Sequence, residues 1–194
     1  MCAEHYAGLL IDEATQKGLV RWRAYSRGYK GALAIQRGEI AAGLQLLRVG
    51  FDEFGGFTTF PFMDVLVPRA LGLAGEVAKG LALVDEAISR SEQAEEYRFT
   101  AELLRSKGEL LLLQAGSRAA AEAEDLFWHA LDLAHRQGAL SLELRVATSL
   151  ARQLRKCGCS HGTLAFLQPI YDRFTEGFDT ADLKAARLLL NDLL

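Results

Sequence analysis

Ala121–Gln137 reads AEAEDLFWHALDLAHRQ, and this stretch decides the fold. Take a small residue as position n, an aromatic or aliphatic residue at n+4, a small residue at n+7 and an apolar residue at n+8. Here these are Ala123, Phe127, Ala130 and Leu131. The same offsets return Gly43, Leu47, Gly50 and Phe51, then Gly80, Val84, Ala87 and Ile88, and finally Gly162, Phe166, Pro169 and Ile170. The anchors lie 37, 43 and 39 residues apart. An apolar stripe at helical spacing, repeated at that period, is the signature of stacked helical repeats, each of which buries its open face only against a neighbour.

Composition agrees. Half of the 194 residues are hydrophobic and only three are Pro, while 18 are Gly. That favours helices punctuated by Gly over a sandwich of β-branched strands. The formal net charge of −3 gives no reason to expect a polyanionic partner such as nucleic acid. The longest apolar run, Leu110–Leu113, is far below the ~20 residues that cross a bilayer, so no membrane association is expected. MCAEHYAGLL lacks the basic and long apolar regions of a secretory signal. The odd set Cys2, Cys157 and Cys159 suggests no disulfide framework. A cytoplasmic compartment is the reading.

Walking outward gives a single all-α domain over residues 1–194 of about ten helices. Residues 1–18 form a leading helix with Tyr6, Leu9, Leu10 and Ala14 on its apolar stripe. Antiparallel helix pairs follow over 20–56, 59–94, 95–138 and 140–177, and 179–194 is a capping helix. Gly28, Gly31 and Gly108 are read as thin spots where a neighbouring helix comes close. Glu95–Gln114 is read as the first helix of the third pair with Phe99, Leu103, Leu104, Leu110 and Leu111 in the core, Ser117 as the N-cap of its partner, and Leu140–Lys156 with Ser160–Thr175 as the fourth pair.

Three segments carry a resemblance: AELLRSKGELLLLQ (101–114), AEAEDLFWHALDLAHRQGALSLELRVATSLARQL (121–154) and FLQPIYDRFTEGFDTADLKAARLLLNDLL (166–194). They resemble the tetratricopeptide-like C-terminal region of bacterial signalling proteins, namely adenylate or guanylate cyclases and predicted signal-transduction ATPases. GLALVDEAISRSE (80–92) fits more loosely. The resemblance implies a right-handed superhelix of antiparallel pairs that serves as a regulatory interaction module, with catalysis elsewhere in the full-length relatives. Where those relatives carry a Gly-Arg and Glu-Ala turn, this chain has KCGCSHG (156–162), so a binding role at that turn does not carry over.

No residue set points to catalysis. The chain has no phosphate-cradling GxxxxGK[ST] motif and no nucleophile elbow. Cys157, Cys159 and His161 follow no structural zinc spacing, so they read as an interhelical turn with a semi-buried thiol, and no metal or cofactor is expected. His129 and His135 sit six residues apart on one helix and diverge. Partner-binding candidates come from first helices, which line the concave groove in tetratricopeptide arrays. Arg145, Arg152 and Lys156 share one face at spacings of 7 and 4, Glu102, Arg105 and Glu109 hold comparable places in the third pair, and Tyr25 and Phe62 do so in earlier pairs. The expected function is non-catalytic: binding a protein or peptide partner, with Arg gripping an acidic segment. Self-association, or a small-molecule pocket inside the superhelix, is the alternative.

Overall fold

The computed structural model describes residues 3–54, 61–114, 116–158 and 162–193, with the side chains of 3, 4, 36, 54 and 61–63 outside the description. Among the described residues the chain is all-α. The helices are α1 (Ala3–Gln16), α2 (Val20–Gln36), α3 (Ile40–Phe54), α4 (Pro61–Leu73), α5 (Val77–Gln93), α6 (Thr100–Leu111), α7 (Ser117–Arg136), α8 (Leu140–Lys156), α9 (Thr163–Asp172) and α10 (Ala181–Leu193). A 3₁₀ turn, Tyr97–Phe99, precedes α6. No described helix is long and apolar enough to cross a membrane. The chain divides into two compact units, Met1–Ala87 and Ile88–Leu194, and the division falls inside α5.

In the first unit, α2 and α3 pack at backbone distance. A Cβ on Gly31 would lie 2.8 Å from the Gly43 carbonyl oxygen, and one on Gly43 would lie 2.7 Å from that of Gly31. A Cβ on Gly50 would lie 2.9 Å from the Ala24 oxygen. Partner numbers fall as their counterparts rise, so the two helices run antiparallel. Ile35, Leu44, Leu47, Val67, Ala70 and Leu71 fill the core beside them. The leading helix buries only Ala14 of its expected stripe. Ala7 and Ala14 are buried, while Tyr6, Leu9 and Leu10 remain exposed. Small residues seven apart let α1 lie close on α2, which turns the larger side chains outward.

In the second unit, Phe127 does for α6 and α7 what glycines do for α2 and α3. Its ring is fully buried and lies where a Cβ on Gly108 would be, 2.6 Å from Phe Cε1. Only a residue without a side chain leaves room for that ring. Leu103, Leu104, Leu110 and Leu111 are buried as expected, but Phe99 is 40% exposed because the helix begins after it. Glu95 adopts φ +53°, which breaks the helix predicted to start there. The Glu96 amide donates to the Ser91 carbonyl and the Ser91 hydroxyl donates to that of Glu96, closing α5 instead.

The repeat pattern holds in three copies. Leu47, Val84 and Phe127 are fully buried at n+4, and Gly50, Ala87 and Ala130 are buried at n+7. The fourth copy slips by one residue. Gly162 is exposed at φ +90° and forms the N-cap, so α9 starts at Thr163 rather than Ser160. The buried set is therefore Thr163, Leu167 and Ile170, with Phe166 half-buried and Pro169 exposed. The next cap also moves: Gly116 is the N-cap of α7 and Ser117 is its first residue, without a side-chain cap bond.

A polar layer joining the first helices

Glu102, Arg105 and Glu109 recur at spacings of three and four, so one face of α6 carries all three. Arg145 and Ser149 do the same on α8, and Asp182 stands at the start of α10. The apolar residues of each helix fix which way these faces turn. Leu144, Val146, Ala147 and Leu150 of α8 are buried, as are Leu183, Ala186, Leu189 and Leu190 of α10, the set expected for the capping helix.

The polar faces meet. Arg105 binds Glu102 through both oxygens, Nη2 to Oε1 at 2.7 Å and Nε to Oε2 at 2.9 Å. Its Nη1 donates to Glu109 Oε1 at 3.3 Å and to Ser149 Oγ at 3.3 Å. Ser149 in turn donates to Glu109 Oε1 at 2.6 Å. Arg145 Nη2 lies 2.8 Å from Glu102 Oε1, and its Nε lies 3.7 Å from Asp182 Oδ2. Farther along, Arg155 Nη1 donates to Asp192 Oδ2 at 2.6 Å. Partners on α6 and α8 are 40 to 44 residues apart and those on α8 and α10 are 37 apart, so the numbers rise together. These three helices therefore run parallel. On the other layer Trp128 of α7 meets Phe166 of α9 edge-on, with ring centroids 5.4 Å apart.

Glu102 is 3% exposed and Arg105 6%. Burial pushes the Arg105 guanidinium toward its neutral form, but the hydrogen bonds and charge of Glu102, with Glu109 and Asp182 behind, outweigh it and hold the pKa above its ordinary value. Such a pair is expensive to break, because removing one partner strands the other charge in a dry site. A second buried carboxylate, Glu143, sits at the start of α8. It accepts from His135 Nδ1 of α7 at 2.9 Å and from Arg173 Nη1 at 2.7 Å.

The candidates named from the sequence divide into four groups. Glu102, Arg105, Glu109 and Arg145 come together, with Glu102 and Arg105 inside the layer and the edges of Glu109 and Arg145 accessible. Arg152 and Lys156 lie farther along α8 and are exposed. Tyr25 is half-buried at the edge of the first unit's core, stacked on Trp22. The Phe62 side chain lies outside the described residues. Ser149, Asp182, Glu143 and Arg173 were not anticipated. The repeat period held a signal for Asp182 and Asp192, each 37 residues beyond an Arg of α8. Cys157 is exposed rather than semi-buried, and Cys159 and His161 lie outside the described residues.

The first unit contains an apolar cleft of about 540 Å³ between α3, α4 and α5, lined by Leu44, Leu47, Phe51, Val67, Leu71 and Leu83. At its edge Arg48 and Lys79 both engage Glu76, Arg48 at 3.8 Å.

No family model matches the sequence. Over 126 residues, 65% of this chain, it is 32% identical to an uncharacterized protein of Rhizobium meliloti (strain 1021). The matched stretch is 12% of that protein's length, so the relative is several times longer than this chain.

Proposed function

We propose that the chain is a non-catalytic interaction module of a bacterial signalling protein and binds a protein or peptide partner on the outer edge of its first helices. The parallel registry of α6, α8 and α10 carries this reading. Repeats that stack first helix on first helix build one continuous face, and a right-handed tetratricopeptide-like superhelix is the architecture in which that face becomes a groove. In the second unit Glu102 and Arg105 brace this face from beneath, while Arg152, Lys156 and the edges of Glu109 and Arg145 meet the partner. A rigid receptor loses little ordering entropy on binding. A 32% identical stretch inside a far longer protein is what a module of a multidomain chain would give. The reading places the protein in the cytoplasm with no nucleic acid, membrane or cofactor.

Affinity capture from host cytosol tests it, comparing the unaltered chain with Arg152→Ala/Lys156→Ala. The proposal expects a partner retained in near-stoichiometric amount and lost from the variant, with an unchanged helical circular dichroism spectrum. Identical captured proteins on both would refute the assignment.

Self-association is a second reading, favoured by Tyr6, Leu9 and Leu10, which α1 leaves 53%, 47% and 38% exposed. A strict monomer in light scattering at high concentration removes it.

A further inference from the structure

The α2 helix, VRWRAYSRGYKGALAIQ, carries four cations and no acid. It packs on α1, α3 and α4, yet Trp22 is 55% exposed and Tyr29 49%. Tyr25, half-buried, stacks on Trp22 with centroids 5.9 Å apart and planes 29° from parallel. Positions 22, 25, 29 and 33 follow one stripe, closed by half-buried Leu33. At 1.5 Å per residue this stripe runs for roughly 16 Å, or three turns. Arg23 and Arg27 turn away from it, both toward the single carboxylate of Glu53 on α3. Two guanidinium groups against one carboxylate leave a net positive charge. Arg21, exposed, and Lys30, half-buried, flank the stripe on opposite sides, as a rotation of about 100° per residue requires.

We propose that this aromatic and cationic face of α2 docks an acidic amphipathic helix of a partner protein. The inference rests on the interaction reading above but names a different surface, in the first unit, and the chemistry of its occupant. An occupant helix of about three turns presents anchors at i, i+3 or i+4, and i+7, which match the length of the stripe. Carboxylates flanking those anchors meet Arg21 and Lys30, and rim charges of this kind set selectivity and association rate. Trp22 and Tyr25 already occupy one ring face of each other, so the surface offers apolar ring area rather than a slot for a nucleic-acid base.

The test uses the full chain with Trp128→Phe, which leaves Trp22 as the sole tryptophan reporter. Three probes are titrated: a peptide of about four helical turns with a Leu stripe flanked by Glu, its Lys-for-Glu counterpart, and oligothymidylate. The Glu peptide should shift Trp22 emission and bind at least about tenfold more tightly than the Lys peptide, with affinity falling as salt rises. Trp22→Ala/Tyr29→Ala should weaken it by about tenfold or more. Arg21→Glu/Lys30→Glu should invert the preference. Unchanged circular dichroism shows that the variants fold. Equal binding of both peptides, tighter binding of oligothymidylate, no effect of the aromatic substitutions, or dimerisation through the stripe would each overturn the inference. If partners are captured by the unaltered chain but Trp22→Ala/Tyr29→Ala loses none of them, this inference falls and the interaction reading stands. If nothing is captured and no peptide binds, both fall.

Discussion

The two units solve one packing problem in different ways. In Met1–Ala87 a first helix meets its own partner through glycines at backbone distance, and its main ion cluster, Arg23, Arg27 and Glu53, ties α2 to α3 within that pair. In Ile88–Leu194 a pair closes on one buried ring, Phe127 over Gly108, and the ion network runs between first helices of successive pairs. Glu53 is 21% exposed at its side chain, whereas Glu102 is 4% exposed. The same repeat pattern thus carries electrostatics in two roles: a half-wet clasp within a pair, and a dry brace between pairs.

The contrast can be broken most forcefully at Phe127. Phe127→Ala should cost about 3–5 kcal/mol, because the ring leaves a cavity over Gly108 that helix backbones cannot fill. Gly108→Ala should cost about 1–3 kcal/mol from the opposite cause, overpacking against the ring. Denaturant unfolding followed by circular dichroism measures both. If Gly108→Ala is neutral, the ring is not held as described.

Charge deletion comes next. Arg105→Ala or Glu102→Ala should each cost about 3–5 kcal/mol, while Glu53→Ala should cost about 1 kcal/mol or less. Replacing Glu102 and Arg105 together by Leu and Met should cost less than either single deletion, since no buried charge is then left alone. A simple sum of the singles in the same denaturation assay would show that the pair is not coupled.

The pattern of apolar residues made most of this legible. Position n+4 identified Leu47, Val84 and Phe127 as fully buried, and the Leu stripe of α10 was read correctly. It failed where backbone conformation overrode periodicity. Gly162 matched the template by identity but entered the left-handed region and shifted α9 by one residue. Glu95 opened the third pair on the apolar pattern, yet its positive φ places it in the preceding turn. The polar layer was half visible. Helical spacing grouped Glu102, Arg105 and Glu109, but spacing within one helix says nothing about which neighbour satisfies them, so a face read as an open groove wall is partly internal.

A smaller effect concerns pH. Burial raises the Glu53 pKa, but hydrogen bonds and charge from Arg27 and Arg23 outweigh it and bring it below its ordinary value. A carboxylate depressed on folding stabilises above its unfolded pKa and loses that contribution as pH falls through the lower folded value. Thermal melts from neutral pH to about pH 3 should show an acid-dependent loss that Glu53→Gln reduces. An identical pH profile for the variant would contradict the clasp.

The smallest effect is a gain. Glu95→Gly should stabilise the second unit by about 1 kcal/mol, since glycine carries no steric penalty at φ +53°. A loss on denaturation would mean that the Glu95 side chain contributes more than its backbone costs.

Hydrogen–deuterium exchange of Arg105→Met tests the brace between first helices most directly. If buried charge couples successive pairs, α6, α8 and the start of α10 should exchange faster together, with α2 and α3 unchanged. Faster exchange confined to α6, or spread equally over α2 and α3, would contradict that account.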